Sequence, residues 1–180
     1  MKRTTKKSVK VTSRVWQMLT TGVLTFQIGK SYQTIKSIAG AFRANVPMRR
    51  GFGYVDSAAT THKVAVWCIS TANNTPWGNT LKNGGTIIEE RKLAGESPKA
   101  FQRRVRKADY DVDVYRLTFV RDRGTYRFVG VFQVTAFDMK HATAVFEKVD
   151  CPSLIFWIKR ETRKKITITI EEETTEIVAI

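Results

Sequence analysis

A short charged element in the middle of the chain could carry metal-dependent hydrolysis. Glu90, Arg91 and Lys92 stand at the end of a candidate strand that begins at residue 86. In a Glu-x-Lys element the carboxylate can hold a divalent ion while the lysine positions an attacking water. Asp56 is the candidate partner acid. The same residues are also typical of a charged strand exit, so a small metal-dependent nuclease is an alternative interpretation.

Three alternating aspartates form a second candidate metal site. In an extended segment the carboxylates of Asp109, Asp111 and Asp113 would share one face and could hold a cation. The favoured interpretation is that they limit charge repulsion beside the basic residues at 103–107.

Histidine and cysteine offer little catalytic chemistry. The two histidines, His62 and His141, are not next to a recognisable nucleophile motif. The two cysteines, Cys68 and Cys151, belong to no Cys-x-x-Cys or Cys/His cluster, and Cys68 lies in an apolar run typical of a buried strand. We therefore predict no catalytic residue, no metal and no cofactor.

Binding chemistry has more support, beginning with the segment 43–56. It is rich in turn-forming residues and reads as a functional loop in which Gly51 and Gly53 permit close backbone approach to a ligand. Arginine can reach phosphate or guanine, and an aromatic ring can stack on an exposed base. The candidate binding residues in this loop are Arg49, Arg50, Phe52 and Tyr54.

A second candidate loop spans residues 72–85 and contains Trp77 between Pro76 and Gly78. Its proline, glycine and asparagine residues favour turns. Trp77 is therefore a further candidate for base stacking. The alternative is that Phe52, Tyr54 and Trp77 pack over the open end of a sheet.

A basic helix follows these loops. Ser97 is a candidate N-cap and Pro98 suits the first helical position. The helix surrounds its apolar positions with four cations, Arg103, Arg104, Arg106 and Lys107. We expect Arg103 and Arg104 to contact phosphates and Lys107 to belong to the same binding surface.

Charge is unevenly distributed along the chain. No acidic residue precedes Asp56, whereas eleven lysines and arginines do, in a chain of formal net charge +15 and pI 10.1. A field of one sign implies an external polyanion. We favour nucleic acid over an anionic membrane surface or basicity that serves solubility alone. Residues 1–10 predict a flexible basic arm. Because the two cysteines demand no oxidising compartment, we expect a cytoplasmic protein associated with nucleic acid, and no run approaches the roughly 18 apolar residues of a membrane span.

The remaining patterns predict one α+β domain over residues 11–180, built on a curved or barrel-like mixed β-sheet with flanking helices. Its clearest part is a β-hairpin at 112–134 that turns at 122–124. The other predicted elements are a helix from residue 11, a strand at 24–28, a turn at Gly29, a helix at 35–42, a central strand at 62–71, and strands at 86–90, 144–149 and 166–170.

Several of these segments resemble SRA-like modules of the PUA superfamily. The resemblance rests on Trp-Gly-Asn at 77–79, on Asn-Gly-Gly at 83–85 leading into Thr-Ile-Ile, and on the hairpin sequences at 115–121 and 126–132. The second hairpin strand looks like the Tyr-x-Phe-x-Gly-x-Phe pattern found beside nuclease modules in modification-dependent restriction proteins. The match covers roughly residues 50–150.

The resemblance implies a domain that binds duplex DNA and extrudes a modified cytosine between aromatic side chains. It places the loops at 52–54 and 77–85 beside the pocket, with Asp56 as an acceptor for the cytosine amino group. Asn83 stands roughly where an Asp-Gly loop would be expected. A PUA-type RNA binder would show the same barrel and basic surface, so RNA stays open.

We therefore predict a noncatalytic nucleic-acid-binding protein that favours DNA over RNA, with room for a nuclease partner acting in trans. The predicted binding residues are Arg49, Arg50, Phe52, Tyr54, Asp56, Trp77, Asn83, Arg103, Arg104 and Lys107. Two alternatives remain: the nuclease built on Glu90 and Lys92, and a structural or protein-interaction module of a phage or defence system.

Overall fold

The computed structural model describes residues 23–42, 48, 51–55, 63–72, 76–150, 153–157 and 165–171. The predicted basic arm and the predicted helix from residue 11 lie outside these residues. Within them the chain folds into eleven strands and two helices, which agrees with the predicted α+β class.

The elements follow one another as β1 (Val23–Gln27), β2 (Ser31–Tyr32), α1 (Ile35–Ala41), β3 (Phe52–Tyr54), β4 (Lys63–Ser70), β5 (Trp77–Lys82), β6 (Ile87–Lys92), α2 (Pro98–Val105), β7 (Val114–Asp122), β8 (Thr125–Asp138), β9 (Thr143–Lys148), β10 (Ser153–Trp157) and β11 (Lys165–Glu171). Short 3₁₀ turns follow β5 at Asn83–Gly85 and α2 at Ala108–Tyr110. The predicted hairpin, the turn at Gly29 and the predicted helix at 35–42 are confirmed.

The strands form two sheets. The larger, eight-stranded sheet has the order β3-β4-β7-β8-β9-β6-β5, with β2 paired to β8. The smaller sheet has the order β1-β11-β10. Because β4 pairs with β7 in parallel and the other ladders of the large sheet are antiparallel, this sheet is mixed, as predicted.

One hydrophobic core lies on the face of the large sheet that α1 and the small sheet cover. At its centre the Phe26 ring lies 5.4 Å from Phe42, 5.7 Å from Phe119 and 5.4 Å from Phe128, measured between ring centroids. These rings join β1 and α1 to β7 and β8. Burial of such aromatic side chains, about 150–250 Å² each, is the main attraction between the layers.

The large sheet bends toward its other face. Trp67 on β4 and Phe146 on β9 have ring centroids 4.5 Å apart, although β7 and β8 lie between their strands. In a flat sheet three strand spacings would separate them by about 14 Å. Register shifts in the β7–β8 and β8–β9 ladders supply the bend, because a bulge adds a residue to one strand and kinks it. We call this second face the concave face.

The bent sheet is not closed into a barrel by any backbone ladder among the described strands. One side chain links β5 to β4 across the open side of the sheet, since Asn79 Nδ2 on β5 donates to the Ser70 carbonyl on β4 at 3.2 Å. The barrel expectation is therefore not confirmed, whereas a mixed sheet with α-helices is.

Two predicted loops contain strands instead. Phe52–Tyr54 pairs with β4, and Trp77–Lys82 pairs with β6. Both are edge strands in polar, glycine-rich sequence, where composition masks the alternation of buried and exposed positions. Gly51, at φ +86°, approaches the chain itself and not a ligand: its carbonyl accepts from the Cys68 amide at 2.6 Å. Strand β10 was not predicted.

The buried position of Cys68 gives a chemical prediction. Burial raises the pKa of its thiol to about 12, so at pH 8 the native thiol should react with iodoacetamide more than about a thousandfold more slowly than an unfolded cysteine. Mass spectrometry of a Cys151→Ser variant, with and without urea, measures both rates. Equal rates would contradict the buried placement of Cys68.

Candidate nucleic-acid interface

Helix α2 has one buried side and one basic side. The predicted cap is confirmed, because Ser97 Oγ accepts from the Ala100 amide at 3.3 Å and Pro98 occupies the first turn. Phe101 and Arg104 are buried. The exposed side carries cations that form no ion pair within the described part of the chain. This basic stripe consists of Lys99, Arg103, Arg106 and Lys107.

Arg104 does not lie where the sequence predicted. The arginine is only 6% exposed. Its Nε donates to Glu96 Oε2 at 2.8 Å, and its Nη1 pairs with Glu90 Oε1 at 3.2 Å. Its guanidinium also stacks 4.9 Å from the Trp77 ring centroid. The expectation that Arg104 faces phosphates is wrong, because two carboxylates and an aromatic face hold it inside the fold.

The same contacts occupy the residues that the nuclease interpretation needs. Glu90 is buried and accepts from the Tyr110 hydroxyl at 2.5 Å as well as from Arg104. Burial raises the pKa of the Glu90 carboxyl, while Tyr110 and Arg104 oppose the rise. Lys92 Nζ pairs with Glu96 Oε1 at 3.0 Å. The carboxylate and the lysine therefore have partners within the protein.

A second buried arginine lies on the concave face, 5.1 Å from the Phe146 ring centroid. Arg116 is 1% exposed, and it donates from Nη1 to the Val114 carbonyl at 2.8 Å and from Nη2 to the Asp109 carbonyl at 2.6 Å. Burial lowers the pKa of Arg116 to about 10. We call Glu90, Glu96, Arg104, Tyr110 and Arg116 the polar cluster.

The three predicted stacking residues lie on the concave face at its two edges. Phe52 and Tyr54 project from β3, with ring centroids 5.2 Å apart in an edge-to-face arrangement. Trp77 projects from β5 at the opposite edge. Burial, followed by the nearby Asp109, raises the pKa of Tyr54 to about 12. The polar cluster lies between these edges, because Tyr54 and Arg116 interact and Arg104 contacts Trp77.

Other predicted site residues are not gathered there. Asn83 is exposed at the far end of β5 from Trp77, and a strand rise of about 3.3 Å per residue separates the two by roughly 20 Å. The loop expected to run from Trp77 to Gly85 along one pocket is thus mostly strand. Arg49, Arg50 and Asp56 lie outside the described residues. Arg103 and Lys107 are exposed on or beside α2, as expected.

Sequence reasoning missed several participants. Tyr110, Glu96 and Arg116 were not predicted, although an arginine at position 116 within an apolar strand pattern is an available signal for a buried cation. Asn79 was also missed. It is 7% exposed, and its Oδ1 has no hydrogen-bond partner among the described residues. Because Asn79 shares its face of β5 with Trp77, it places an unused acceptor beside that ring.

The aspartate trio serves the fold. Asp111 Oδ2 pairs with Lys63 Nζ at 2.5 Å, and Asp111 Oδ1 accepts from the Asp113 amide at 3.0 Å. In the described ranges no group of three or more histidine, cysteine, aspartate or glutamate side chains is arranged to hold a metal ion.

His141 also has a partner. Its Nδ1 lies 2.6 Å from Asp138 Oδ2, and both residues line a groove of about 470 Å³ on the outer side of β5, β6 and β9. Lys82 and Glu89 of the same groove pair at 2.7 Å. Two ion pairs thus occupy the groove, while Arg91 of the same lining forms no ion pair within the described residues. Among the described helices, none is long and apolar enough to cross a membrane.

Comparison with solved structures reveals a shared fold. No protein-family model matches the chain, and neither does any curated protein. The 5-hydroxymethylcytosine-specific restriction enzyme AbaSI matches 81% of this chain with a TM-score of 0.53 at 17% identity, and the chain spans 42% of AbaSI. The DNA modification-dependent restriction endonuclease AspBHI matches 79% of this chain and 76% of its own length, with a TM-score of 0.38 at 14% identity. The chain thus shares its fold with part of AbaSI.

Proposed function

We propose that this chain is an SRA-like module that binds duplex DNA. The observation that carries the proposal is the basic stripe of α2, whose exposed cations form no ion pair within the described residues of a chain of net charge +15. Each such cation that neutralises a phosphate releases a condensed counterion, which favours binding at physiological salt. We propose that the residues of the arm at 1–10, together with Arg49 and Arg50, add further phosphate contacts.

We further propose that the concave face receives a flipped, modified cytosine. A base turned out of the stack needs an aromatic surface and acceptors for its amino group, and extrusion costs about a few kcal/mol. Phe52 and Tyr54 at one edge and Trp77 at the other supply the rings. Asp56 follows strand β3 in sequence and is the proposed acceptor for the amino group of the cytosine. The fold shared with part of a 5-hydroxymethylcytosine-specific enzyme supports this assignment.

Fluorescence anisotropy across a salt series tests the proposal. The matched probes are DNA duplexes that carry cytosine, 5-methylcytosine or 5-hydroxymethylcytosine at one position, with an RNA duplex of the same sequence. Preference for a modified duplex that persists at higher salt would support base recognition. Equal, steeply salt-dependent binding to all DNA duplexes would retain DNA binding and remove the pocket, and absence of DNA binding would remove both.

The basic stripe gives the first DNA-binding prediction. An Arg103→Gln, Arg106→Gln variant should weaken binding to every duplex and make the slope of log K against log salt shallower by about 1.8, because each phosphate contact contributes about 0.9. Anisotropy titrations at four salt concentrations measure the slope. A Lys63→Gln, Lys82→Gln variant loses the same charge from cations already paired with Asp111 and Glu89, and it should keep most of the wild-type slope. Equal slopes in the two variants would exclude α2 from the interface.

A further inference from the structure

A second set of exposed cations surrounds the turn between β7 and β8. Three arginines lie in the seven-residue span 121–127 that contains this turn, and a lysine lies in the neighbouring β1–β2 connection. All four side chains are exposed. They form no ion pair within the described residues. The turn cations are Lys30, Arg121, Arg123 and Arg127.

Backbone pairing holds these residues together. Asp122 pairs with Thr125, so the loop of the hairpin consists of Arg123 and Gly124. On the other side, Ser31 of β2 pairs with Arg127, and the Lys30 carbonyl accepts from the Phe128 amide at 3.0 Å. Paired residues of neighbouring strands share a face, so the pairing of Arg121 with Tyr126 and of Val120 with Arg127 directs Arg121 and Arg127 to opposite faces of the hairpin. The cations therefore surround the turn from both sides, with Lys30 of the neighbouring β1–β2 connection beside Phe128.

The backbone at Arg123 is costly for an arginine. Arg123 has φ +44° and Gly124 has φ +91°, the positive values that tight two-residue hairpin loops require. Asparagine, aspartate and glycine are the residues that adopt this conformation readily. Among the described residues the Arg123 side chain has no hydrogen bond or ion pair that would offset the strain. The needs of the turn therefore do not explain an arginine at this position.

We propose that the turn cations form a second phosphate-contacting surface for duplex DNA. This inference rests on the proposed function of the chain. Guanidinium groups bind phosphate oxygens in a bidentate manner, and three of the four cations are arginines. The exposed large hydrophobic residues of the described chain, Leu93, Val112 and Met139, lie elsewhere. The turn thus has charge without the apolar side chains that would insert into a lipid surface.

The two basic surfaces lie at opposite ends of β7. The 3₁₀ turn that follows α2 leads into Val114 at the start of the strand, and Arg121 stands near its end. At about 3.3 Å per residue these ends are roughly 23 Å apart. A duplex that rises about 3.4 Å per base pair covers this distance in about seven base pairs. A 20-base-pair probe is therefore long enough to engage both surfaces.

Paired variants of the full chain test the surface. An Arg121→Gln, Arg127→Gln variant should weaken binding to the 20-base-pair DNA duplex and lower the salt slope by about 1.8, as for two lost phosphate contacts. The Lys63→Gln, Lys82→Gln variant is the charge-matched control.

If the wild type and the α2 variant behave as proposed but the turn variant matches this control, the second surface is wrong and DNA binding stands. If the wild type does not bind DNA, both proposals fail. Binding of the wild type to anionic phosphatidylserine vesicles or to duplex RNA in place of DNA overturns the assigned partner.

Arg123 provides a test in which structure and binding move in opposite directions. Arg123→Asn should leave the melting temperature unchanged or raise it by about 2 °C, because asparagine tolerates positive φ. The same substitution should lower the salt slope of DNA binding by about 0.9. A melting temperature that rises without any loss of DNA affinity would remove Arg123 from the interface, and a fall of several degrees would show that the arginine serves the turn.

Discussion

Replacing Arg104 with alanine should lower the free energy of unfolding by about 3–5 kcal/mol, since it leaves the buried Glu90 carboxyl without its cation and takes one of two cations from Glu96. Glu90 and Glu96 both pair with this guanidinium, and Trp77 packs against it. Urea denaturation at pH 7.5, followed by circular dichroism, measures the change. Arg103→Ala is the matched control. The neighbouring Arg103 side chain is exposed, so its loss should change the free energy of unfolding by no more than about 0.5 kcal/mol.

The destabilisation should depend on pH with a defined sign. Burial already raises the pKa of Glu90 above its unfolded value, and loss of Arg104 removes an opposing charge. A folded state whose carboxyl has a raised pKa binds more protons than the unfolded state, so its stability falls as pH rises between the two values. The Arg104→Ala variant should therefore lose less stability at pH 5 than at pH 8. If the variant loses the same unfolding free energy at pH 5 and pH 8, then without Arg104 the Glu90 carboxyl either stays protonated at both pH values or keeps its charge balanced by other groups.

Adjacent arginines of one helix are thus assigned opposite tasks. Arg103→Gln should weaken DNA binding with little effect on stability, whereas Arg104→Ala should unfold the protein more easily through lost internal contacts. The difference follows from helical geometry, since successive residues are rotated by about 100° and one falls on the buried side with Phe101. Measuring unfolding and binding for the same pair of variants separates the two tasks.

Local signals in the sequence were enough to predict much of the sheet. The hairpin of β7 and β8 was visible because its alternation and its Asp-Arg-Gly turn lie within one short segment. The start of α2 was visible because Ser97 and Pro98 are adjacent to the helix they begin. In both cases the residues that determine the structure are close in sequence.

Features that depend on distant partners could not be predicted in this way. Edge strands β3 and β5 have polar, glycine-containing sequences, and they are strands because β4 and β6 offer them hydrogen-bonding partners. Likewise, Arg104 has the same appearance in sequence as Arg103. Only the arrival of Glu90 from β6 and of Trp77 from β5 makes its burial favourable.

The arrangement of the concave face separates recognition of a base from recognition of phosphate. The aromatic side chains at its edges are uncharged, and the cations within it are already paired or bonded to carbonyls. Exposed cations that form no ion pair within the described chain lie outside this face, and those of α2 and of the β7–β8 turn are among them. Substitutions on the two kinds of surface should therefore change different measured quantities.

Replacing Trp77 with alanine should reduce the preference for a modified duplex by about 5–150-fold, the equivalent of about 1–3 kcal/mol for a stacked base. The salt slope should stay at its wild-type value, because an indole ring neutralises no phosphate. Anisotropy against modified and unmodified duplexes at several salt concentrations gives both quantities.

Trp77→Phe is the control for this prediction, since it keeps an aromatic face beside Arg104 and should retain most of the preference. Circular dichroism and urea denaturation of both variants must show a folded protein, because Trp77 also packs against Arg104 and Lys92. An unchanged preference in a folded Trp77→Ala variant would mean that the ring belongs to the fold and not to the base pocket. A changed salt slope with the same preference would instead place phosphate, and not a base, at this edge of the sheet.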